Sequence, residues 1–195
     1  MAPKDEAEMR DMLLTAIEHP GPAALRYPRG SGHGVDVSAP PKLMEIGKGE
    51  VLRKGKDVAV IAYGSMVYPA MNAAEQLARS GVNVSVINAR FVKPLDAELI
   101  LSTARESSLI VTVEEAYLAG GFGSAVMELL EENGLQDKVK VVRMGVPDEI
   151  VSHGDPNRLL GDYGLDADGI YKRVLGSLDA LNEERNGGRK MRAVK

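Results

Sequence analysis

Val58-Ala-Val-Ile-Ala-Tyr63, then Val67 to Ser80 closed by Gly81, then Val82-Asn-Val-Ser-Val-Ile-Asn-Ala89, is the stretch that decides the fold. Its two outer parts are rich in β-branched residues and have strand length, and the part between them reads as a helix. Gly81 stands at the helix C′ position, which favours a left-handed conformation. The same alternation continues through the strands Leu109-Ile-Val-Thr-Val113 and Val139-Lys-Val-Val-Arg-Met144. Helices are predicted over Asp96 to Ser107, with Asp96 as candidate N-cap, and over Ser124 to Asn133, closed by Gly134. Two more, Pro156 to Leu160 and Ala167 to Leu181, finish the pattern. Such alternation predicts an α/β domain with a mostly parallel sheet covered by helices.

Upstream the pattern differs. Residues 5–18 place Met9, Leu13, Ala16 and Ile17 on one helical face, with acidic residues in the first turn, where they favour the helix dipole. His19-Pro-Gly-Pro22 ends that helix, and Ala23-Ala-Leu-Arg-Tyr27 reads as a short strand stopped by Pro28. Residues 1–30 are thus one helix and one strand, too little to make a core. Residues 31–45, rich in Gly, Ser and Pro, read as a linker, and 46–182 as the main domain. Residues 183–195 have too few apolar side chains to repay ordering and read as a solvated, flexible tail.

The 195 residues are 44% hydrophobic and carry a formal net charge of -4 without any basic block outside the tail. A phosphate backbone needs a clustered Lys/Arg face, so nucleic acid is not an expected partner. Zero cysteines exclude disulfides, thiolate metal sites and a cysteine nucleophile, and fit a reducing compartment. With no apolar run near the roughly 18 residues that span a bilayer and no leader pattern, the expectation is a cytoplasmic protein with no membrane partner.

Candidate chemistry is sparse. Arg26, in Arg26-Tyr-Pro-Arg-Gly30, and Arg90, before Phe91-Val-Lys-Pro-Leu-Asp96, both follow predicted strands, where open α/β sheets place ligand sites. A guanidinium there can hold a phosphate through two parallel hydrogen bonds. Either one alone reads as an ordinary surface arginine; the pair is more informative. Gly120-Gly-Phe-Gly-Ser124 resembles a nucleotide fingerprint, but Val126 stands where glycine or alanine is required, so close packing at a helix start is favoured over a phosphate cradle. Glu114 and Glu115, being adjacent, point to opposite faces and read as capping or interface groups, not an acid/base pair. His19, His33 and His153 have no ligand spacing, and Ser65 lacks a nucleophile elbow and reads as a helix N-cap.

Several segments carry a resemblance: Ala2-Pro-Lys-Asp-Glu-Ala-Glu-Met9, Gly21 to Gly30, Ile46-Gly-Lys-Gly49, Asn88 to Asp96, Val113-Glu-Glu115 with Gly120 to Ser124, and Gly145-Val-Pro-Asp148. Together they resemble the 1-deoxy-D-xylulose-5-phosphate synthase family of transketolase-like, thiamine-diphosphate-dependent enzymes, over about residues 2–182. The resemblance implies a three-layer transketolase C-terminal-like domain at 46–182, and at 1–30 the last helix and strand of the pyrimidine-binding middle domain. It implies a parent enzyme that uses thiamine diphosphate and Mg2+ to condense pyruvate with D-glyceraldehyde 3-phosphate, losing CO2, and that works as a homodimer. Isoprenoid, thiamine and pyridoxal biosynthesis would draw on the product.

By the family's pattern Arg26 and Arg90 are the residues that grip the acceptor phosphate, and Arg29 is a weaker candidate. No catalytic, cofactor-binding or metal-binding residue is assigned. The Gly-Asp-Gly metal motif and the glutamate that activates the aminopyrimidine are not found. The isolated fragment is therefore expected to be inactive and to bind no cofactor, and Met1 to resemble an internal stretch of the parent. The alternatives are a non-catalytic binding or dimerisation module of the same fold, or a piece of another transketolase-superfamily enzyme.

Overall fold

Strand β2 (Val58–Tyr63) runs through the centre of the molecule, and all six of its residues are buried. The computed structural model describes residues 1–192, with side chains through Arg185. Burial on both faces explains why β2 is continuously apolar. Val58, Val60 and Ala62 enter one core with Ala70, Ala74 and Leu77 of α2 (Val67–Arg79) and with Ile170 and Val174 of α6 (Ala167–Arg192). Ala59, Ile61 and Tyr63 enter the opposite core with Ile100 of α3 (Ala97–Glu106) and with Phe122, Val126 and Leu130 of α4 (Phe122–Glu132). Each fully buried large side chain contributes about 1.5–3 kcal/mol, so these two cores are the main stabilising feature of the three layers.

The sheet has five strands in the order β1-β3-β2-β4-β5. β3 (Val84–Asn88), β2, β4 (Leu109–Tyr117) and β5 (Lys140–Val146) are parallel, with α5 (Pro156–Asp162) preceding α6. β1 (Glu50–Arg53) is an antiparallel edge strand, in which Glu50 lies opposite Asn88. The expected α/β class and mostly parallel sheet are what the structure has. β1 itself was not predicted, because four half-exposed residues carry no local strand signal.

Two helix ends follow the glycine reading. Gly81 adopts φ 81°, its N–H bonds Ala78 O, and Val82 N–H bonds Leu77 O at 2.9 Å. Gly134 (φ 64°) and Leu135 repeat this after α4, the latter bonding Leu130 O at 2.8 Å. Both are Schellman ends with an apolar residue packed at C″. Asp96 caps α3 by accepting from Leu99 N at 3.1 Å.

Other expectations are corrected. Residues 23–27 form no strand: Met1 and this segment exchange only two backbone bonds, Arg26 N to Met1 O and the Met1 ammonium to Ala24 O. A two-bond bridge without further neighbours does not make a ladder. β4 continues to Tyr117, and α4 starts at Phe122, not Ser124. Residues 31–45 have no regular structure but are tied to α1 (Glu6–Glu18): Arg10 donates to Val37 O and Ala39 O, Lys42 N to Asp11, and Met44 N to Thr15 Oγ1. α6 runs on past residue 182 to Arg192, and 193–195, the last part of the expected tail, lie outside the described residues.

Candidate functional site

The carboxyl ends of β2, β3 and β4 open toward residues 1–4. Ala2 N–H bonds Arg90 O at 3.0 Å, and Ala2 is buried against the carboxyl end of β2, where its Cβ abuts Gly64. Met1 O accepts from Arg26 N at 3.0 Å. The N-terminal segment therefore lies between the two sequence-predicted arginines, and both sit at the rim where a parallel sheet places ligands.

Arg90 follows β3 with φ 58°, a left-handed conformation that costs a non-glycine residue energy and turns its side chain away from the strand direction. Asn88, wholly buried, supports the turn: its Oδ1 accepts from Arg90 N at 3.2 Å, and its Nδ2 donates to both oxygens of Glu8, at 2.9 and 3.1 Å. Glu8, buried on α1, also accepts from Arg90 Nε at 2.8 Å, Lys4 N at 2.7 Å and Lys4 Nζ at 3.1 Å. Glu50 completes the cluster by accepting from Arg90 Nη2 at 2.6 Å. Nη1 bonds none of the described residues.

Arg26 is placed differently. Its Nη2 donates to Glu115 O at the carboxyl end of β4, and the Glu115 carboxylate accepts from Ser65 Oγ at 2.5 Å. Ser65 lies in a 3-10 turn, Gly64–Met66, and caps no helix, so the N-cap expectation is corrected: Glu115 competes successfully for its hydroxyl. The two guanidinium groups thus share a rim but have no partner in common among the described residues. Arg29 is exposed.

Glu114 caps α4, as expected of a capping carboxylate. It is buried and accepts from Phe122 N at 2.7 Å and Gly123 N at 2.8 Å. Burial pushes its carboxyl up, opposed by those two N–H groups and by Arg143 and Arg26. The glycine-rich turn therefore carries its own acceptor at the helix start, so a phosphate is not needed to satisfy those donors.

A cleft of about 400 Å³ opens beside the rim, lined among others by Lys4, Arg10, Tyr27, His33 and Ser65. His33 stacks on Tyr68 with ring centroids 4.0 Å apart. The Tyr68 phenol, pushed up to about 12 by burial, donates to Asp5 at 3.0 Å. Among the described residues no group of three or more His, Cys, Asp or Glu is placed to hold a metal ion, and no helix is long and apolar enough to cross a membrane.

Residues 47–170 match the family model of the transketolase C-terminal domain. The chain belongs to that family. The match covers the whole sheet and α5, and leaves α1 and the Arg26 segment upstream of the family domain.

This transketolase C-terminal domain has named relatives. It is 57% identical over 174 residues to 1-deoxy-D-xylulose-5-phosphate synthase 1 of Geobacter metallireducens, covering 89% of this chain and 28% of that protein. To the 1-deoxy-D-xylulose-5-phosphate synthase of Symbiobacterium thermophilum it is 53% identical, covering 89% of this chain and 26% of the relative. The chain thus spans little more than a quarter of the length of these relatives, consistent with a C-terminal fragment of such an enzyme. A solved structure described as a split-gene transketolase, inactive β4 tetramer, superposes with a TM-score of 0.78 at 34% identity, covering 91% of this chain and 57% of that one. A Pichia stipitis transketolase mutant, at 17% identity and a TM-score of 0.52, shares the fold.

Around the transketolase C-terminal domain's Arg90, the sequence reading missed Lys4, Glu8, Glu50 and Asn88. Lys4 and Glu8 had a local signal, as a cation and an anion four residues apart at a helix start. Glu50 had none, because its place beside Arg90 depends on the antiparallel pairing of β1 with β3.

Proposed function

We propose that the chain supplies the acceptor-phosphate side of a 1-deoxy-D-xylulose-5-phosphate synthase, the transferase that condenses pyruvate with D-glyceraldehyde 3-phosphate, with loss of CO2, to 1-deoxy-D-xylulose 5-phosphate. The observation that carries this reading is Arg90: a strained backbone at the carboxyl end of β3 and a buried carboxylate at Nε fix the guanidinium, while Nη1 bonds none of the described residues. Such a group binds a phosphate without first having to be ordered, which converts remote binding energy into positioning of the reacting aldehyde. Arg26 approaches the same rim from the far side of Met1 and Ala2. Identity above 50% to two named synthases supports the substrate.

Thiamine diphosphate and Mg2+ belong, in this reading, to the parent enzyme and supply its carbanion chemistry. The described residues do not fit them: the one helix start resembling a diphosphate cradle is filled by Glu114, and no metal-holding group is present among those residues. As a separate polypeptide the chain acts as a binding and association module without turnover, a reading supported by the inactive tetramer of the split transketolase.

The test is a chimera of the Geobacter metallireducens synthase carrying residues 2–182 of this chain in place of its own matching segment. Arg90→Ala there raises the KM for D-glyceraldehyde 3-phosphate by about 10- to 150-fold, the worth of a hydrogen bond to a charged group, and leaves the pyruvate KM unchanged. Equal losses for both substrates would rule the role out.

A further inference from the structure

The two carboxylates on Arg90 are not equivalent. Glu8 has a side chain 2% exposed, and its oxygens hold the buried Asn88 amide and the Lys4 backbone N–H as well as two cations. An incoming anion that displaced it would strand buried donors, at a cost no single new contact repays. Glu50 has a side chain 39% exposed and stands on an edge strand, and among the described residues its carboxylate pairs only with cations: Arg90 Nη2 at 2.6 Å and Lys4 Nζ at 3.6 Å, both through Oε2. Swinging it into solvent frees Arg90 Nη2 for another acceptor, while Arg90 Nε and Lys4 Nζ keep their bonds to Glu8.

We propose that Glu50 is a built-in placeholder for a phosphate dianion, and that Lys4 is a second cation of the same site. A phosphate monoester takes the seat of the Glu50 carboxylate on Arg90 Nη2 and Lys4 Nζ and gains the open Nη1, while Glu8 stays and holds the guanidinium plane. A dianion replaces a monoanion on the same two cations, so exchange is favourable although the seat is already filled. While phosphate is away, Glu50 keeps two close cations from repelling each other. The placeholder weakens phosphate binding by its own competition, which sets the sign of its substitution opposite to that of Lys4. This assignment rests on the reading of Arg90 as a phosphate ligand.

The test is calorimetric titration of the full chain, at one fixed low ionic strength because surface charge effects are screened by salt. The ligands are inorganic phosphate and D-glyceraldehyde 3-phosphate; the proteins are wild type, Glu50→Gln, Glu50→Ala, Lys4→Met and Arg90→Met. Both Glu50 variants bind both ligands about 3- to 10-fold more tightly, Lys4→Met binds both weaker by a similar factor, and Arg90→Met loses binding. With Arg90→Met impaired, unchanged or weaker binding in the Glu50 variants overturns the placeholder and leaves the phosphate reading standing. Tightening toward the sugar phosphate alone also overturns it, since Glu50 would then face the sugar. Unchanged Lys4→Met removes Lys4 from the site. Wild-type affinity in Arg90→Met, or no binding by any of the proteins, refutes the phosphate reading, and the placeholder falls with it.

Discussion

Replacing Glu114 with alanine removes the one side chain that, among the described residues, satisfies the first turn of α4. Phe122 N and Gly123 N, which now donate to separate carboxylate oxygens at 2.7 and 2.8 Å, would face the space left by the side chain. A buried donor left unmade costs about 1–3 kcal/mol, so the two together cost about 2–6 kcal/mol. Two effects pull toward the lower end. The carboxyl is pushed up by burial, so its removal relieves a desolvation penalty, and a water can enter the vacated volume. The expected loss is therefore about 2–3 kcal/mol, near 1 M in the urea midpoint for a domain of this size. Glu114→Gln recovers at least half of it, because the amide oxygen accepts one of the two N–H groups. Amide exchange gives the local readout: protection of the Phe122 and Gly123 N–H groups falls more than that of α3. An alanine variant within about 0.5 kcal/mol of wild type, or a glutamine variant no better than alanine, would refute the capping account.

Asp96 holds two backbone donors from different elements, Leu99 N at 3.1 Å and Gly49 N at 3.0 Å. Asp96→Ala should cost about 1–2 kcal/mol in denaturant unfolding, while Asp96→Asn recovers most of the helix cap. At high pH, Tyr63 is pushed up to about 12 by burial, the nearby Arg26 charge opposing and Glu114 adding, and Tyr68 reaches about 12 by burial and its bond to Asp5. Their un-ionised phenols thus contribute stability that is fully present below pH 10 and is lost as pH rises through about 12. Tyr63→Phe should flatten that fall in midpoint-versus-pH curves and remove a late phase from the phenolate absorbance titration.

What could be read along the chain is what short-range chemistry controls. β2 and α2 stand where the residue pattern puts them, Asp96 caps three residues ahead, and Gly81 and Gly134 end helices because a left-handed residue is required there. Arg90 was legible as a strand-end arginine, and Glu114 as a capping or interface group, because each depends on a nearby strand or turn. The misreadings share another cause. Ala23 to Tyr27 has strand composition but only Met1 to pair with, and Glu50 to Arg53 lacks strand character yet pairs with β3. Strand pairing is a property of neighbours brought together in space, and composition does not name them.

The charge state of the candidate site belongs to the same class. Residue types alone put two arginines at the ends of strands, each an open cation. Only the tertiary structure decided that Arg90 shares its charge with buried Glu8, more than 80 residues away, and with Glu50 across an antiparallel pair. The contact arises because α1 lies against the end of β3 and β1 runs beside it. A hydrogen bond acts over about 3 Å, so the groups that tune an ion are those the fold sets beside it, not those that precede it in the chain.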